Sequence, residues 1–209
     1  AHSISPLMHN ESFRLLGLDY VYLCFDINEE TLPAAVAGLK TCGIRGFNLT
    51  MPNKNKIVEL LDELSPEAQL IGAVNTVLND NGKLIGYNTD GYGFMQSVRD
   101  AGHDITGKNI TVMGVGGASM AICAQSALDG AASVHIFARR TSRYWNRTQK
   151  FAENLSAKTG CQVCLFDNDD HTALRDSIAQ SYLLINATSV GMVPDIDDTI
   201  IKDTSLFHP

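Results

Sequence analysis

The sequence predicts an α/β protein made of two units, the second of which contains a doubly wound parallel sheet. Residues 109–187 alternate short apolar runs with amphipathic runs. Strands that alternate with helices in this way form parallel sheets with crossover helices. A glycine-rich turn joins the first strand of this half to its first helix. Residues 1–102 mix helices with a hairpin pattern, so we expect an α/β unit over 1–102 and a second unit over 103–209, with the boundary near 102–107.

The first unit is predicted to combine helices with short strands. Ser5 and Pro6 are typical of a helix N-cap and first helical position. Ser65 followed by Pro66 predicts another capped helix, and the run 79–82, Asn-Asp-Asn-Gly, predicts a hairpin turn. The predicted elements, in order, are helix 6–16, strand 19–27, helix 29–40, strand 42–48, one or two helical turns within 52–64, a helix from 66, strands 73–78 and 83–87, and helix 90–101.

The second unit is predicted to be more regular. Ile110 to Met113 is a continuous apolar run, which is typical of a strand buried on both faces. The amphipathic run that follows ends at Asp129-Gly130, a helix stop signal. The predicted elements are strand 109–114, helix 117–129, strand 133–138, helix 144–158, strand 162–166, helix 171–179 and strand 182–187.

The glycine turn after residue 113 has the features of a phosphate-binding turn. Gly114 would make the tight turn, and Gly116 would let the backbone approach a pyrophosphate. The third glycine of the dinucleotide fingerprint falls at Ser119, a small substitute. Backbone N–H groups and the positive end of the helix favour a phosphate here. The pattern therefore favours a Rossmann-like nucleotide-binding domain over an ordinary glycine-rich turn without a ligand.

The composition of the 209-residue chain limits which partners and which cellular compartment we expect for it. A formal net charge of −7 argues against nucleic acid or an anionic membrane surface as the main partner. There is no apolar run of membrane-spanning length and no signal-peptide pattern at the start, and the five scattered cysteines are typical of reduced thiols. We therefore expect a cytoplasmic protein with a small-molecule substrate. Its six histidines are scattered, and His2 and His9 lack acidic companions at ligand spacing, so no metal site is predicted.

Four polar clusters lie at predicted strand ends or turns. Their hydroxyls and amides, with one lysine and one aspartate, suit a polyhydroxylated acid. Lys54 could bind a carboxylate or move a proton, and Asp90 could orient Lys54 or share that proton. Taken singly, each residue has a structural explanation: Ser5 and Asp90 could be helix caps, and Lys54 could be a surface lysine. Taken together with a dinucleotide turn, they favour an active site.

The sequence resembles the shikimate/quinate dehydrogenase family. The resemblance is carried by motifs in order along nearly the whole chain. These motifs are Ser3-x-Ser5-Pro6, Asn48-x-Thr50-x-Pro52-x-Lys54, Gly72-Ala73-Val74-Asn75-Thr76, Asn88-Thr89-Asp90-Gly91, Gly114-x-Gly116-Gly117-Ala118 and Asn186-Ala187-Thr188-Ser189-x-Gly191-Met192.

The resemblance implies reversible hydride transfer between a nicotinamide cofactor and a ring alcohol. The substrate would be shikimate, in aromatic amino acid biosynthesis (the chorismate pathway), or quinate. It implies that Lys54 and Asp90 are the catalytic pair. The residues implied to hold the substrate are Ser3, Ser5, Tyr22, Asn48, Thr50 and Asn75. The residues implied to bind the cofactor are Gly114, Gly116, Gly117, Ala118, Thr188, Ser189 and Met192.

The choice of cofactor is predicted from charge. An NAD site usually has an acidic residue after the second strand of the nucleotide-binding sheet, whereas an NADP site has arginine. Arginines occupy this stretch at 139, 140 and 143, and no acid is present. The sequence therefore favours NADP, with Arg139 and Arg140 as the expected phosphate contacts. NAD use stays possible, because Ala138 replaces the family's common asparagine and the run resembles the quinate/shikimate branch.

Two other functions are weighed against this one. A folate-dependent methylene dehydrogenase has a similar architecture, but its motifs would differ around Lys54 and would give Ser3 and Ser5 no purpose. A non-catalytic nucleotide-binding regulatory module is the third possibility, and retention of Lys54 and Asp90 argues against it. The resemblance also implies a preceding strand and a continuation of the nucleotide-binding domain, so we expect a fragment. The oligomeric state stays open, with a homodimer as one possibility.

Overall fold

The computed structural model describes residues 3–194 and 196–207, and these form an α/β protein, as predicted. The first half contains α1 (Ser5–Leu15), α2 (Leu32–Thr41), β1 (Gly46–Asn48), α3 (Asn53–Lys56), a 3-10 turn (Ile57–Leu60), β2 (Glu63–Leu64), α4 (Pro66–Ile71), β3 (Thr76–Asp80), β4 (Lys83–Tyr87) and α5 (Asp90–Asp100). The second half contains β5 (Asn109–Met113), α6 (Gly117–Leu128), β6 (Ser133–Ala138), α7 (Trp145–Thr159), β7 (Gln162–Asp167), α8 (His171–Gln180), β8 (Leu183–Asn186) and a second 3-10 turn (Thr204–Leu206).

The first sheet is mixed, with the strand order β1-β3-β4-β2. β3 lies antiparallel to both β1 and β4, whereas β2 lies parallel to β4. The turn between β3 and β4 has positive φ angles at Asn81 (52°) and Gly82 (91°). Two successive positive φ angles are typical of a tight hairpin turn, and Asn-Gly is the pair that adopts them most easily. The predicted hairpin is thus confirmed.

The second sheet is parallel throughout, with the strand order β7-β6-β5-β8. The chain runs outward from β5 through β6 to β7 and then crosses back to place β8 on the other side of β5. The strand order therefore switches between β5 and β8, which leaves a crevice at the carboxyl ends of these strands. Ile110 and Val112 of β5 are fully buried because helices cover both faces of the sheet. The predicted doubly wound sheet is confirmed.

Two predicted elements of the first half are wrong or misplaced, and one short strand was not predicted. Helix α1 begins at Ser5 itself, and the residue before it, Ile4, makes no side-chain cap. Residues 19–27 carry no strand, although their apolar and polar residues alternate. The helical turns predicted within 52–64 are present as α3 and the 3-10 turn, but the short strand β2 that follows, at Glu63–Leu64, was not predicted. By contrast, the predicted cap at Ser65 is confirmed, because its Oγ accepts a hydrogen bond from Ala68 N.

The two halves pack together through helices. Ile71 of α4 and Met95 of α5 belong to the same buried cluster as Ala121 and Ala124 of α6. At the crossing of α5 and α6, a Cβ placed on Gly91 would lie 2.2 Å from the carbonyl oxygen of Ala121. Only glycine permits so close an approach. Among the described helices, none is both long enough and apolar enough to cross a membrane.

Candidate active site

Lys54 and Asp90 form an ion pair at the edge of the first sheet. The Nζ atom of Lys54 lies 2.6 Å from Oδ2 of Asp90, and the two side chains are 22% and 39% exposed. Lys54 is in α3. Its backbone carbonyl accepts a hydrogen bond from Val74 N (2.8 Å), which lies just before β3. Asp90 is the first residue of α5, where the helix dipole favours a carboxylate. The structure thus brings together the two side chains that were predicted to be the catalytic pair.

Asn75 holds the second oxygen of the Asp90 carboxylate. Its Nδ2 donates to Oδ1 of Asp90 (2.7 Å) and to Oγ1 of Thr89 (3.0 Å), and its Oδ1 accepts from Thr89 N (3.0 Å). Asn75 is only 8% exposed, so these bonds also satisfy a buried amide. As a result, Asp90 presents Oδ2 to Lys54 in a fixed orientation. The involvement of Thr89 was not predicted as a site contact, although it lies in the same motif as Asp90.

Tyr22 and Asn48 lie in contact in the same region, joined by a hydrogen bond from the Tyr22 hydroxyl to Oδ1 of Asn48. Asn10 fixes Tyr22 through two bonds to its backbone: Nδ2 donates to Tyr22 O (3.0 Å) and Oδ1 accepts from Tyr22 N (2.7 Å). The ring of His9 stacks on the ring of Tyr22 with centroids 4.6 Å apart. His9 and Asn10 were not predicted as site residues, because only the folded chain brings them to Tyr22.

The remaining predicted substrate residues, Ser3, Ser5 and Thr50, lie at exposed or half-buried positions. Ser3 Oγ accepts from the backbone N–H of Ser5 (3.2 Å). Thr50 is exposed, and its carbonyl accepts from Asn53 N (3.1 Å). Within residues 3–194 and 196–207, none of these three side chains forms a hydrogen bond to Lys54 or Asp90. Their assignment to the substrate stays a prediction.

A cleft of about 770 Å³ opens at the carboxyl edge of the parallel sheet. Gly114 has φ +113°, and a Cβ there would lie 2.9 Å from Ala187 O, so the turn requires glycine. A Cβ on Gly116 or Gly117 would meet nothing within 4 Å, which leaves open space above the start of α6. Ser119 Oγ donates to Gly114 O (2.6 Å) and so holds the turn against the helix. This space suits a diphosphate.

The loop after β6 gives the cleft a basic wall. Arg139 and Arg143 line the cleft, whereas the Arg140 guanidinium lies over the Trp145 ring at 4.6 Å from the ring centroid. Thr188 and Ser189 also line it. Gly117, Ala118 and Met192 are not among its lining residues, and Met192 is 62% exposed. Arg143 was noted in the sequence as part of the arginine run but was not assigned to the cofactor.

A parallel sheet with a glycine turn and a basic wall, beside a lysine–carboxylate pair, defines a nicotinamide-nucleotide-dependent dehydrogenase. The family model described as "Shikimate dehydrogenase substrate binding domain" matches residues 1–77. The shikimate dehydrogenase (NADP(+)) of Listeria innocua serovar 6a is 49% identical over 208 residues, which cover 100% of this chain and 71% of the relative. The chain belongs to the shikimate dehydrogenase family, so the resemblance found in the sequence is confirmed.

Solved structures are similar to the whole described fold. The shikimate 5-dehydrogenase of Listeria monocytogenes, in complex with shikimate and NAD, gives a TM-score of 0.97 at 48% identity and covers 100% of this chain and 72% of that one. A shikimate dehydrogenase in complex with NADP+ gives a TM-score of 0.80 at 40% identity and covers 96% of this chain and 68% of that one. Related proteins with this fold have therefore been solved with either nicotinamide cofactor.

Proposed function

We propose that this protein catalyses the reversible, NADP-linked reduction of 3-dehydroshikimate to shikimate in aromatic amino acid biosynthesis. The observation that carries this proposal is the Lys54–Asp90 pair at 2.6 Å, whose aspartate begins α5, the helix that packs against α6 at the glycine turn. The names of the similar proteins support the same reaction. We also keep the division into a substrate-binding domain (1–102) and a Rossmann-like nucleotide-binding domain (103–209), which the two separate sheets support.

Lys54 is the proposed proton donor to the substrate carbonyl oxygen. A protonated ammonium group can hydrogen-bond that oxygen and transfer its proton as negative charge develops there. Asp90 holds the ammonium group in position through Oδ2, and Asn75 fixes Asp90 through Oδ1. In the reverse direction, Lys54 takes the proton back from the ring hydroxyl. When bound, the reduced nicotinamide would supply the hydride, and Lys54 and Asp90 would handle the proton.

The substrate carboxylate and hydroxyls are proposed to lie against the polar side chains of α1, β1 and the segment between them. Hydroxyl and amide groups suit this role because they can donate to the carboxylate and exchange hydrogen bonds with ring hydroxyls. Asn48, which the Tyr22 hydroxyl contacts, is the best supported of these. The proposed substrate-binding residues are Ser3, Ser5, Tyr22, Asn48, Thr50 and Asn75.

The cofactor is proposed to lie along the cleft at the carboxyl edge of β5 and β6. The diphosphate would lie at the start of α6, against Gly114, Gly116, Gly117 and Ala118. The nicotinamide half would lie against Thr188, Ser189 and Met192. The 2′-phosphate of NADP would meet Arg139. Arg143 joins Arg139 in this proposal because its side chain lines the same cleft, whereas Arg140 stacks on Trp145. Guanidinium groups match phosphate geometry with paired hydrogen bonds.

Initial-rate measurements test the function directly. Nicotinamide absorbance is followed with shikimate and with quinate, each paired with NADP+ and NAD+. We expect the highest kcat/KM with shikimate and NADP+. Equal efficiency with NAD+ would contradict the NADP preference, and a comparable rate with quinate would favour the dual-specificity branch. Binding of NADP+ without turnover of either acid would favour a regulatory nucleotide-binding module instead.

Two finer properties belong to the same proposal. We place the protein in the cytoplasm, where a biosynthetic reductase has access to NADPH, and fractionation of the source cells tests this. A homodimer is the oligomeric state to test first, by light scattering of the purified protein across a range of concentrations.

A further inference from the structure

Asn168 lines the cofactor cleft with a side-chain amide that has no partner. The residue directly follows β7, and its backbone N–H donates to Ala138 O (2.9 Å) at the end of β6. Its Oδ1 is buried and accepts no hydrogen bond from any residue that the structure describes. Native proteins rarely leave such an atom unsatisfied, because burial removes its hydrogen bonds to water. An unpaired amide at the wall of a binding cleft suggests contact with a ligand.

The turn around Asn168 does not need this side chain for its own stability. Asp167 Oδ1 accepts from Asp169 N (3.2 Å), and Asp170 Oδ1 caps α8 by accepting from Ala173 N (3.0 Å). Neighbouring side chains thus already satisfy the backbone of the loop. Among the described residues, none donates a hydrogen bond to Asn168 Oδ1. This oxygen is buried as the side chain stands, so the amide must turn about χ2 to bring its polar atoms to the cleft.

The order of the strands indicates which half of a dinucleotide would meet Asn168. The diphosphate would lie at the turn after β5, and the 2′-phosphate of NADP is attached to the adenosine ribose. The arginine-lined wall follows β6, so the adenosine half lies on that side of β5. β7 is the next strand outward, and its Asp167 pairs with Ala138 of β6. Asn168 is then next to the base, with Tyr144 and Ile200 also lining the cleft.

The chemistry of a carboxamide matches adenine. Adenine presents an amino donor beside a ring-nitrogen acceptor, and asparagine can pair with both through its oxygen and its NH₂ group. The Asn168 amide turns easily about χ2, whose energy profile is broad, so either atom can face the base. We infer that Asn168 recognises the adenine base of the cofactor through its 6-amino group and the adjacent ring nitrogen. This inference rests on the proposed function.

Calorimetric titration of the protein with two cofactors tests the inference without relying on turnover. One is NADP+, and the other is its 1,N6-etheno derivative, in which a fused ring removes the 6-amino donor and the N1 acceptor. Asn168→Leu keeps a similar side-chain size but removes the amide. Gln162→Leu is the matched control, because it removes an exposed amide from the opposite end of the same strand.

We expect the wild-type protein and Gln162→Leu to bind NADP+ about tenfold more tightly than the etheno derivative, at the lower range for a paired amide–adenine contact. Asn168→Leu should bind the two within about twofold, through weaker binding of NADP+. If Asn168→Leu still bound NADP+ about tenfold more tightly, the etheno ring would be rejected by its size alone, and the inference would be overturned. Equal affinity of the wild-type protein for the two cofactors would also overturn it. Failure of the wild-type protein to bind NADP+ at all would instead overturn the proposed function, and this inference with it.

Discussion

Lys54 Nζ lies 2.6 Å from Asp90 Oδ2, although the two residues are 36 positions apart in the chain. The backbone at the start of β3 brings them together. Val74 N donates to Lys54 O, and Asn75 N donates to Tyr87 O (3.0 Å) at the end of β4, three residues before Asp90. The hairpin of β3 and β4 therefore determines the geometry of the ion pair.

Replacement of Lys54 by methionine is expected to lower kcat by about 100-fold or more, which is typical for the loss of a proton donor. Methionine keeps most of the side-chain length and removes the ammonium group. Lys56→Met is the control, because Lys56 is in the same helix but pairs with the exposed Glu59. Near-normal turnover by Lys54→Met would contradict the proposed mechanism.

The Asn75→Leu variant should be less stable than the wild-type protein and should also have a lower kcat. We expect the lower kcat because the substitution releases the Asp90 carboxylate. Asn79→Leu is the matched control, because Asn79 is also 8% exposed. Its Nδ2 donates to Ile44 O (2.9 Å) and its Oδ1 accepts from Gly82 N (2.8 Å), far from the ion pair. We expect each leucine variant to lose about 1–3 kcal/mol of unfolding free energy in urea titrations. Only Asn75→Leu should show a lower kcat per folded molecule. Equal kcat values in the two variants would argue against a positioning role for Asn75.

Cofactor preference should depend on the two arginines that line the cleft. Arg139→Ala and Arg143→Ala are each expected to raise KM for NADP+ by about tenfold, the usual cost of losing a charge-assisted hydrogen bond to phosphate. KM for NAD+ should change little, since NAD lacks the 2′-phosphate. Arg140→Ala and Arg147→Ala serve as comparisons, because Arg140 stacks on Trp145 and Arg147 is an exposed residue of α7. Parallel changes for both cofactors would refute the assignment.

Gly91→Ala is expected to destabilise the protein by about 2 kcal/mol or more, because overpacking forces backbones apart. The new Cβ would lie 2.2 Å from Ala121 O. A Cβ placed on Gly93, two residues further along α5, would meet nothing within 4 Å, so Gly93→Ala should instead stabilise by about 0.5–1 kcal/mol. Thermal and urea unfolding of both variants would measure this difference, and equal stabilities would contradict the close helix contact.

The acid sensitivity of folding should depend partly on His135. Burial lowers the pKa of His135 below its ordinary value of 6.5, and its Nδ1 lies 2.9 Å from Ser177 Oγ. The unfolded chain therefore takes up a proton near pH 6.5 that the folded protein does not, and this contribution to stability is lost as pH falls below that value.

His135→Gln should accordingly show a shallower loss of unfolding free energy than the wild-type protein as the pH falls below about 6.5. His171→Gln, at the exposed start of α8, is the control. Unfolding in urea at a series of pH values would measure the slopes. An unchanged slope in His135→Gln would exclude His135 as a source of the acid sensitivity.

The sequence was sufficient to predict the parallel sheet because its signals are local. Val112 and Ile136 lie in short apolar runs followed by a turn and a helix, and both are fully buried. The alternation over 19–27 is also a strand signal, but no described strand pairs with that segment. A period of two predicts an extended backbone, and only a neighbouring strand turns it into part of a sheet.

The site was predictable to the extent that motifs carried it. Lys54 and Asp90 were found together from their motifs, and the structure brings them into contact. The contacts of Asn10 with Tyr22 could not be foreseen, since they depend on how α1 packs against the following segment. The divergence of Arg139 and Arg140 depends on which side of the loop faces Trp145, a property of the folded chain alone.

The contact between Gly91 and Ala121 has a consequence for how this enzyme could change over evolutionary time. It joins the helix that begins with Asp90 to the helix that begins at the glycine turn. A substitution at this crossing would shift the Asp90 carboxylate, which holds Lys54, relative to the dinucleotide turn, and so would alter the reaction itself. Adaptation to a differently shaped acid is therefore easier through α1 and Tyr22, which lie outside this crossing and can vary without moving the reacting centres.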